Sequence, residues 1–110
     1  MYTLAYSKIS RTDIDSCYSY VKNSLEAPAA AENMIRELIE KLAYLKETPK
    51  TRPLVHDKYL ASLGIRSIKV KNYVLYYGVD DSNKIVNIFR YLYNKRDWIS
   101  ILKHNPAEEF

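Results

Sequence analysis

Cysteine occurs once in the 110 residues, at Cys17. An intrachain disulfide is therefore excluded, and so is a cysteine-based metal site. His56 and His104 lie too far apart in sequence to suggest a metal centre by themselves. No metal and no cofactor is expected. Glycine is almost as scarce, with 2 residues, and there are 4 prolines. A disordered or loop-dominated chain would need more of both. No stretch approaches the roughly 18 consecutive apolar residues of a membrane-crossing helix. The opening MYTLAYSKIS lacks the apolar run of a secretory signal. The expectation is a cytoplasmic protein with no membrane partner, free of internal repeats and low-complexity segments.

What is present suffices for one modest core. Hydrophobic residues make up 47 % of the chain, and the length suits a single domain spanning 1–110. Lys and Arg outnumber Asp and Glu by 17 to 13. That excess suits an anionic partner such as nucleic acid or an acidic protein, although many ordinary proteins carry as much. Tyrosine is the outlier, with 11 against 2 Phe. Its ring is apolar while its hydroxyl can stay wet, so it fits sheet surfaces, core edges or an aromatic contact surface.

Tyr2, Leu4 and Tyr6 alternate with Thr3 and Ala5, which predicts a short strand. Ser7 or Ser10 can then cap a helix, Ser10–Asp13 having capping-box spacing. In that helix Ile14, Cys17, Tyr18, Val21 and Leu25 recur on one face. Glu26-Ala27-Pro28 breaks it, and Pro28 suits the first turn of a second helix. Ala31, Met34, Ile35, Leu38, Ile39, Leu42 and Leu45 form the second stripe, which Thr48-Pro49 ends. Two long amphipathic helices with a short link predict an antiparallel hairpin. Residues 50–64 are irregular but too apolar to be a solvated linker. Arg66–Lys71 alternates, with Ile68 and Val70 on one face, and Asn72 suits a turn. Tyr73–Val79 and Ile85–Tyr93 supply two more strands, and Asp97–Lys103 a short helix. The fold class is α+β, in the order β-α-α-β-β-β with a short terminal α. The hairpin is expected on one face of a twisted, mainly antiparallel sheet, leaving the opposite face free for partners.

Three cations and three aromatics gather where the last strand ends: Arg90, Lys95 and Arg96 with Tyr91, Tyr93 and Trp98. Flat rings and fixed positive charge are what bases and phosphates bind to. With Arg66, Lys69 and Lys71 these are the candidate contacts for a partner or nucleic acid. Each has a structural alternative. Arg66 can pair with a helix carboxylate, and Lys69 and Lys71 can be a solvated strand face. Arg90 shares a face with Val86 and Ile88, which suits a buried arginine held by an acid or carbonyls. Tyr91 and Tyr93 can be cross-strand partners. Trp98 can anchor the terminal segment. Arg96, just beyond the strand, is the best functional candidate.

Four segments, in order, resemble the RelE/ParE family of bacterial toxins from type II toxin–antitoxin pairs. They are Tyr2–Lys8 with Asp13 following, Ala30-Ala31 through Leu45 to Pro49, Gly64-Ile65-Arg66 into Asn72–Tyr77, and Val86–Arg90 into Lys95-Arg96-Asp97-Trp98. The resemblance implies a growth-inhibiting toxin neutralised by a cognate antitoxin, expected to be acidic and partly disordered when free. It also implies one of two targets: DNA gyrase, poisoned without nuclease activity by ParE-like members, or mRNA on the ribosome, cut by RelE-like endoribonucleases. RelE-like enzymes resemble one another in a strand lysine, which Lys69 matches, and an arginine after the last strand, which Arg96 matches. Their third-strand arginine is Val74 here, and Trp98–Leu102 contains no tyrosine. A metal-independent nuclease would therefore use Lys69 and Arg96 with Tyr93, or Tyr91, as substitute. Strand alternation puts both tyrosines opposite Arg90, and Lys69 opposite Ile68. Such a nuclease needs them together on the helix-free face beside Arg96. The ParE-like reading needs only the fold, a long hairpin and a basic surface, and is favoured. A non-toxic binding module of the same fold is a third class.

Overall fold

The computed structural model describes residues 1–104, and the last six residues of the expected domain lie outside the described residues. The chain begins with β1 (Thr3–Tyr6) and α1 (Lys8–Ser19), which runs into a π-helical turn at Tyr20–Ser24. There follow α2 (Pro28–Glu47), α3 (Lys58–Ser62), β2 (Arg66–Val70), β3 (Tyr73–Asp80), β4 (Ile85–Tyr93) and α4 (Trp98–Lys103).

Local chemistry sets these boundaries. Ser7 caps α1, its Oγ accepting from the Ser10 amide at 3.0 Å while it donates to the Phe89 carbonyl at 3.0 Å. One hydroxyl thus satisfies a helix end and ties it to β4. Ser10, the other candidate cap, is inside the helix and fully buried, with its Oγ donating to the Ser7 carbonyl at 2.8 Å. Pro28 opens α2, where its missing N–H costs nothing. The helix stops before Pro49, whose ring disfavours helical geometry at Thr48. Tyr77 Oη then donates to the Pro49 carbonyl at 3.0 Å in the interior, fastening the end of the hairpin to the sheet.

The sheet is mixed and four-stranded, in the order β1-β4-β3-β2. β1 runs parallel to β4, and the other two pairings are antiparallel. Leu38, Leu42 and Leu45 of α2 pack on Ile68, Val70, Leu75, Tyr77, Val86, Ile88 and Tyr91. Fully burying each such side chain is worth about 1.5–3 kcal/mol. Ile39, expected in this stripe, is 60 % exposed, so the contact face is narrower than the hydrophobic pattern.

Two expectations need correcting. The sheet face opposite the hairpin is not free. Val55, Leu60, Ile65, Tyr76, Phe89, Leu92 and Leu102 form a second core there, under α3, α4 and the segment that follows α2. Asp57 caps α3, accepting from the Leu60 amide at 3.0 Å. The second correction is in β4. Tyr76 pairs with Arg90 but Tyr77 with Ile88, so Phe89 is an extra residue, a β-bulge. Gly78 makes room for it. A Cβ there would lie 2.9 Å from the Phe89 ring. The bulge reverses the alternation. Tyr91, expected opposite Val86 and Ile88, joins them in the helix-side core.

Candidate partner-docking cleft

The hairpin does not close on the end of the sheet. A cleft of about 850 Å³ separates them, lined by Cys17, Tyr20, Val21 and Leu25 from the first arm and Ala30, Asn33, Met34 and Glu37 from the second. Lys71, Asn72 and Tyr73 close it from the β2–β3 turn, and Tyr91, Leu92, Tyr93 and Arg96 from the end of β4. The volume lies in the range of ordinary ligand and anchor pockets.

One buried ion pair holds this architecture. β1 ends at Tyr6, so beyond Ile88 the edge of β4 has no strand beside it. Asp13 of α1 takes that place. Its carboxylate accepts from Arg90 Nε at 2.7 Å, from Arg90 Nη2 at 3.0 Å and from the Tyr91 amide at 3.1 Å. Both side chains are nearly buried, at 12 % and 11 % exposed. The bidentate geometry satisfies the fork of the guanidinium, and the third bond satisfies a strand amide that would otherwise be orphaned. Arg90 is therefore a structural arginine that fixes α1 as one wall of the cleft, and it presents no free surface. The spacing of Asp13 after Ser10 suggested a capping box. The structure uses it for this longer-range bond, which no local pattern shows.

The floor is aromatic. Tyr73 and Tyr91 stack with ring centroids 4.9 Å apart, and Tyr93 meets Tyr73 edge-on at 5.8 Å. Tyr91 is 1 % exposed, and its Oη has no hydrogen-bond partner among the described residues. Burial pushes its phenol well above the ordinary value, with smaller contributions from Cys17, Tyr73 and Glu37. Such a group does not serve as a general base near neutral pH. Burial also raises the Cys17 thiol, helped by the Asp13 charge and opposed by a hydrogen bond with Tyr73 and by Arg96. Cys17 stays protonated, a packing residue rather than a nucleophile.

The rim is polar. Lys71, in a left-handed conformation at φ +58°, pairs with Glu37 at 3.2 Å. Arg96 is exposed, and among the described residues it forms no ion pair. Tyr20 and Leu25, 55 % and 54 % exposed, stand at the mouth beside Tyr93 at 43 %. A cleft with an apolar floor, exposed aromatic and aliphatic lips and one unpaired cation has the composition of a protein-docking site.

The remaining candidates lie elsewhere. Lys69 is exposed on β2 and lines a different, shallower concavity with Glu40, Lys41, Tyr44, Arg52 and Ile68. That concavity shares no lining residue with the cleft. The groups a nuclease would need are thus divided: Tyr93 and Arg96 on the hairpin side at one end of the sheet, Lys69 at its β2 edge. Val74 is half-buried against the second core. Arg66 finds no helix carboxylate, and its Nη1 donates to the Arg52 carbonyl. Trp98 stacks on Tyr76 at 5.3 Å with His56 edge-on at 5.1 Å, which anchors α4. Asp13, Cys17, Tyr20 and Leu25 belong to the cleft but were not among the sequence candidates: Cys17 and Leu25 read as helix-face residues, Asp13 as part of a capping box, and Tyr20 carried no signal.

Comparison with known proteins agrees with this fold. The family described as the ParE toxin of the type II toxin–antitoxin system, parDE, matches residues 4–98. No curated protein sequence matches the chain. Among solved structures, a chain of the chromosomal ParDE system from P. aeruginosa superposes with a TM-score of 0.66 at 18 % identity, covering 84 % of this chain and 96 % of that one. A chain of the RelBE2 toxin–antitoxin complex from Mycobacterium tuberculosis gives 0.57 at 21 % identity, with the same coverage. At such identities the structures establish the shared fold. The family match spans the hairpin, all four strands and the start of α4, and so the chain belongs to the ParE toxins of type II toxin–antitoxin systems.

Proposed function

We propose that this toxin is neutralised by an antitoxin segment seated in the cleft, and that its target is DNA gyrase rather than ribosome-bound mRNA. The observation that carries the target is the division of candidate groups. A 2′-hydroxyl attack on RNA needs a proton acceptor, phosphate stabilisation and help for the leaving oxygen at one point. Here Lys69 stands apart from Tyr93 and Arg96, Val74 replaces an arginine, and the phenol of Tyr91 is buried. A poison that acts by binding needs no such convergence. Both targets are cytoplasmic, and among the described residues no helix is long and apolar enough to cross a membrane.

The antitoxin reading rests on the cleft. Its lips offer Tyr20, Leu25 and Tyr93 to apolar side chains, and Arg96 to carboxylates of an acidic segment. A segment that folds on binding suits such a lined groove, and charge would speed its association.

The test runs two assays on one preparation. Purified toxin is expected to inhibit gyrase supercoiling, and the cognate antitoxin to relieve it. Ribosomes programmed with mRNA are expected to show no cleavage. Codon-positioned cuts with unaffected supercoiling would overturn the reading in favour of the ribosome-dependent endoribonuclease.

A further inference from the structure

The positive charge of this chain is concentrated in one segment. Residues 41–71 contain eight Lys and Arg against two acids, Glu47 and Asp57, a net +6, so the rest of the chain is net −2. The fold brings much of that segment to one place. The end of α2, the loop after it and the edge strand β2 meet around the shallow concavity at the sheet edge, where Lys41, Arg52 and Lys69 converge. Arg66 is held beside them on the Arg52 carbonyl. Among the described residues, none of these four forms an ion pair, whereas Lys50, Lys71, Arg90 and Lys103 all do. The phenol of Tyr44 lies beside these cations. It is held below its ordinary value first by its hydrogen bonds with Thr51 and Thr48, then by the charges of Arg52 and Lys41.

The patch lacks what a protein interface has. Its lining has one aliphatic residue, Ile68, already 6 % exposed within the core, and one exposed ring, Tyr44, and it includes a single acid, Glu40. Interface centres are depleted in lysine and built on aromatic and apolar anchors. Single-stranded nucleic acid would need stacking platforms. The one ring here, Tyr44, is 44 % exposed, and a single ring makes no run of platforms for successive bases. Unpaired, solvent-facing cations without a hydrophobic centre fit a phosphate backbone of regular spacing, where affinity comes from counterion release.

We infer that the β2 edge is a binding surface for the phosphate backbone of double-stranded DNA, independent of base sequence and separate from the cleft. Lys41, Arg52 and Lys69 make the phosphate contacts, and Arg66 supports Arg52 from behind.

The experiment measures fluorescence anisotropy of a labelled DNA duplex, two helical turns long, with the full-length toxin across a salt series from about 50 to about 200 mM. Wild type is expected to bind at low salt and to weaken steeply. The K41Q/R52Q/K69Q variant removes three phosphate contacts. It should lower the slope of log affinity against log salt by about 2–3, at roughly 0.9 per contact, and weaken binding at least about tenfold at low salt. K8Q/K22Q/K84Q, with the same charge change on other surfaces, should keep the wild-type slope. Circular dichroism checks that both variants fold. If the first variant does not fold, Lys69→Gln alone, at an exposed strand position, should lower the slope by about one. No duplex binding by wild type, equal losses in both triple variants, or an equally tight polyglutamate peptide would each overturn the inference.

Discussion

In the cleft, Lys71 and Arg96 stand at the rim of a floor built from Cys17, Tyr73 and Tyr91; at the β2 edge, Lys41, Arg52 and Lys69 surround a floor of Ile68 and the single ring of Tyr44. The two regions share a sheet and a helix, and both carry cations, yet they suit different chemistry. In the cleft the charge is auxiliary. Lys71 is already paired, and exposed Tyr20, Leu25 and Tyr93 supply the apolar area that stabilises a protein contact. At the edge, among the described residues, the cations form no ion pair, and the exposed apolar surface is limited to the one ring of Tyr44. Net charge alone does not separate these cases. What surrounds each cation does.

The largest expected effect strikes the wall that makes the cleft a cleft. Asp13→Ala leaves Arg90 buried without its carboxylate and the Tyr91 amide without its acceptor, and should cost about 3–5 kcal/mol in urea unfolding. A loss below about 1 kcal/mol would mean that α1 is not held by this pair. Leu38→Ala, at a position 3 % exposed between α2 and the sheet, should cost about 2–5 kcal/mol, with little difference in effect on the two regions because it loosens their common support.

Next come changes that separate the regions. Leu25→Glu lies at a half-exposed lip, so stability should stay within about 0.5 kcal/mol of wild type. Antitoxin affinity should nevertheless fall roughly tenfold or more by calorimetry, as for a docking anchor. Duplex binding should not change. Lys69→Gln should do the reverse, sparing stability and the antitoxin while lowering the salt slope. The smallest effect is expected for Tyr91→Phe. Among the described residues its hydroxyl is buried without a partner, so removing it should leave stability unchanged or slightly raised. A marked loss would reveal a bond to that oxygen.

Much of the fold was legible. Ala31, Met34, Leu38, Leu42 and Leu45 recur at helical spacing and are all buried, and the strands fall where β-branched and aromatic residues alternate. Alternation failed at one residue with large consequences. Nothing in Ile85–Tyr93 marks Phe89 as an insertion. The only signal lies across the ladder, in Gly78, and it acquires meaning only once the register is known. The shift moved Tyr91 from an expected contact surface to the core. α3 was missed because five residues give too short a period to read, although Asp57 at its start is an ordinary helix cap. The covered second face followed from that miss. Of the residues that line the cleft, Arg96 and Lys71 stand out in the sequence by charge and position. Asp13 and Leu25 do not, because Asp13 has the spacing of a local cap and Leu25 that of a buried helix face. The clustering of charge in residues 41–71 was visible in the sequence, but the balance over the whole chain hid it.

Amide hydrogen exchange on the toxin, free and with its cognate antitoxin, tests the division between the two regions most directly. The account predicts new protection in the cleft walls, at residues 20–25, 30–37 and 71–73, with exchange at residues 50–57 and 66–69 unchanged. Protection confined to the β2 edge, with the cleft exchanging as in the free toxin, would contradict it.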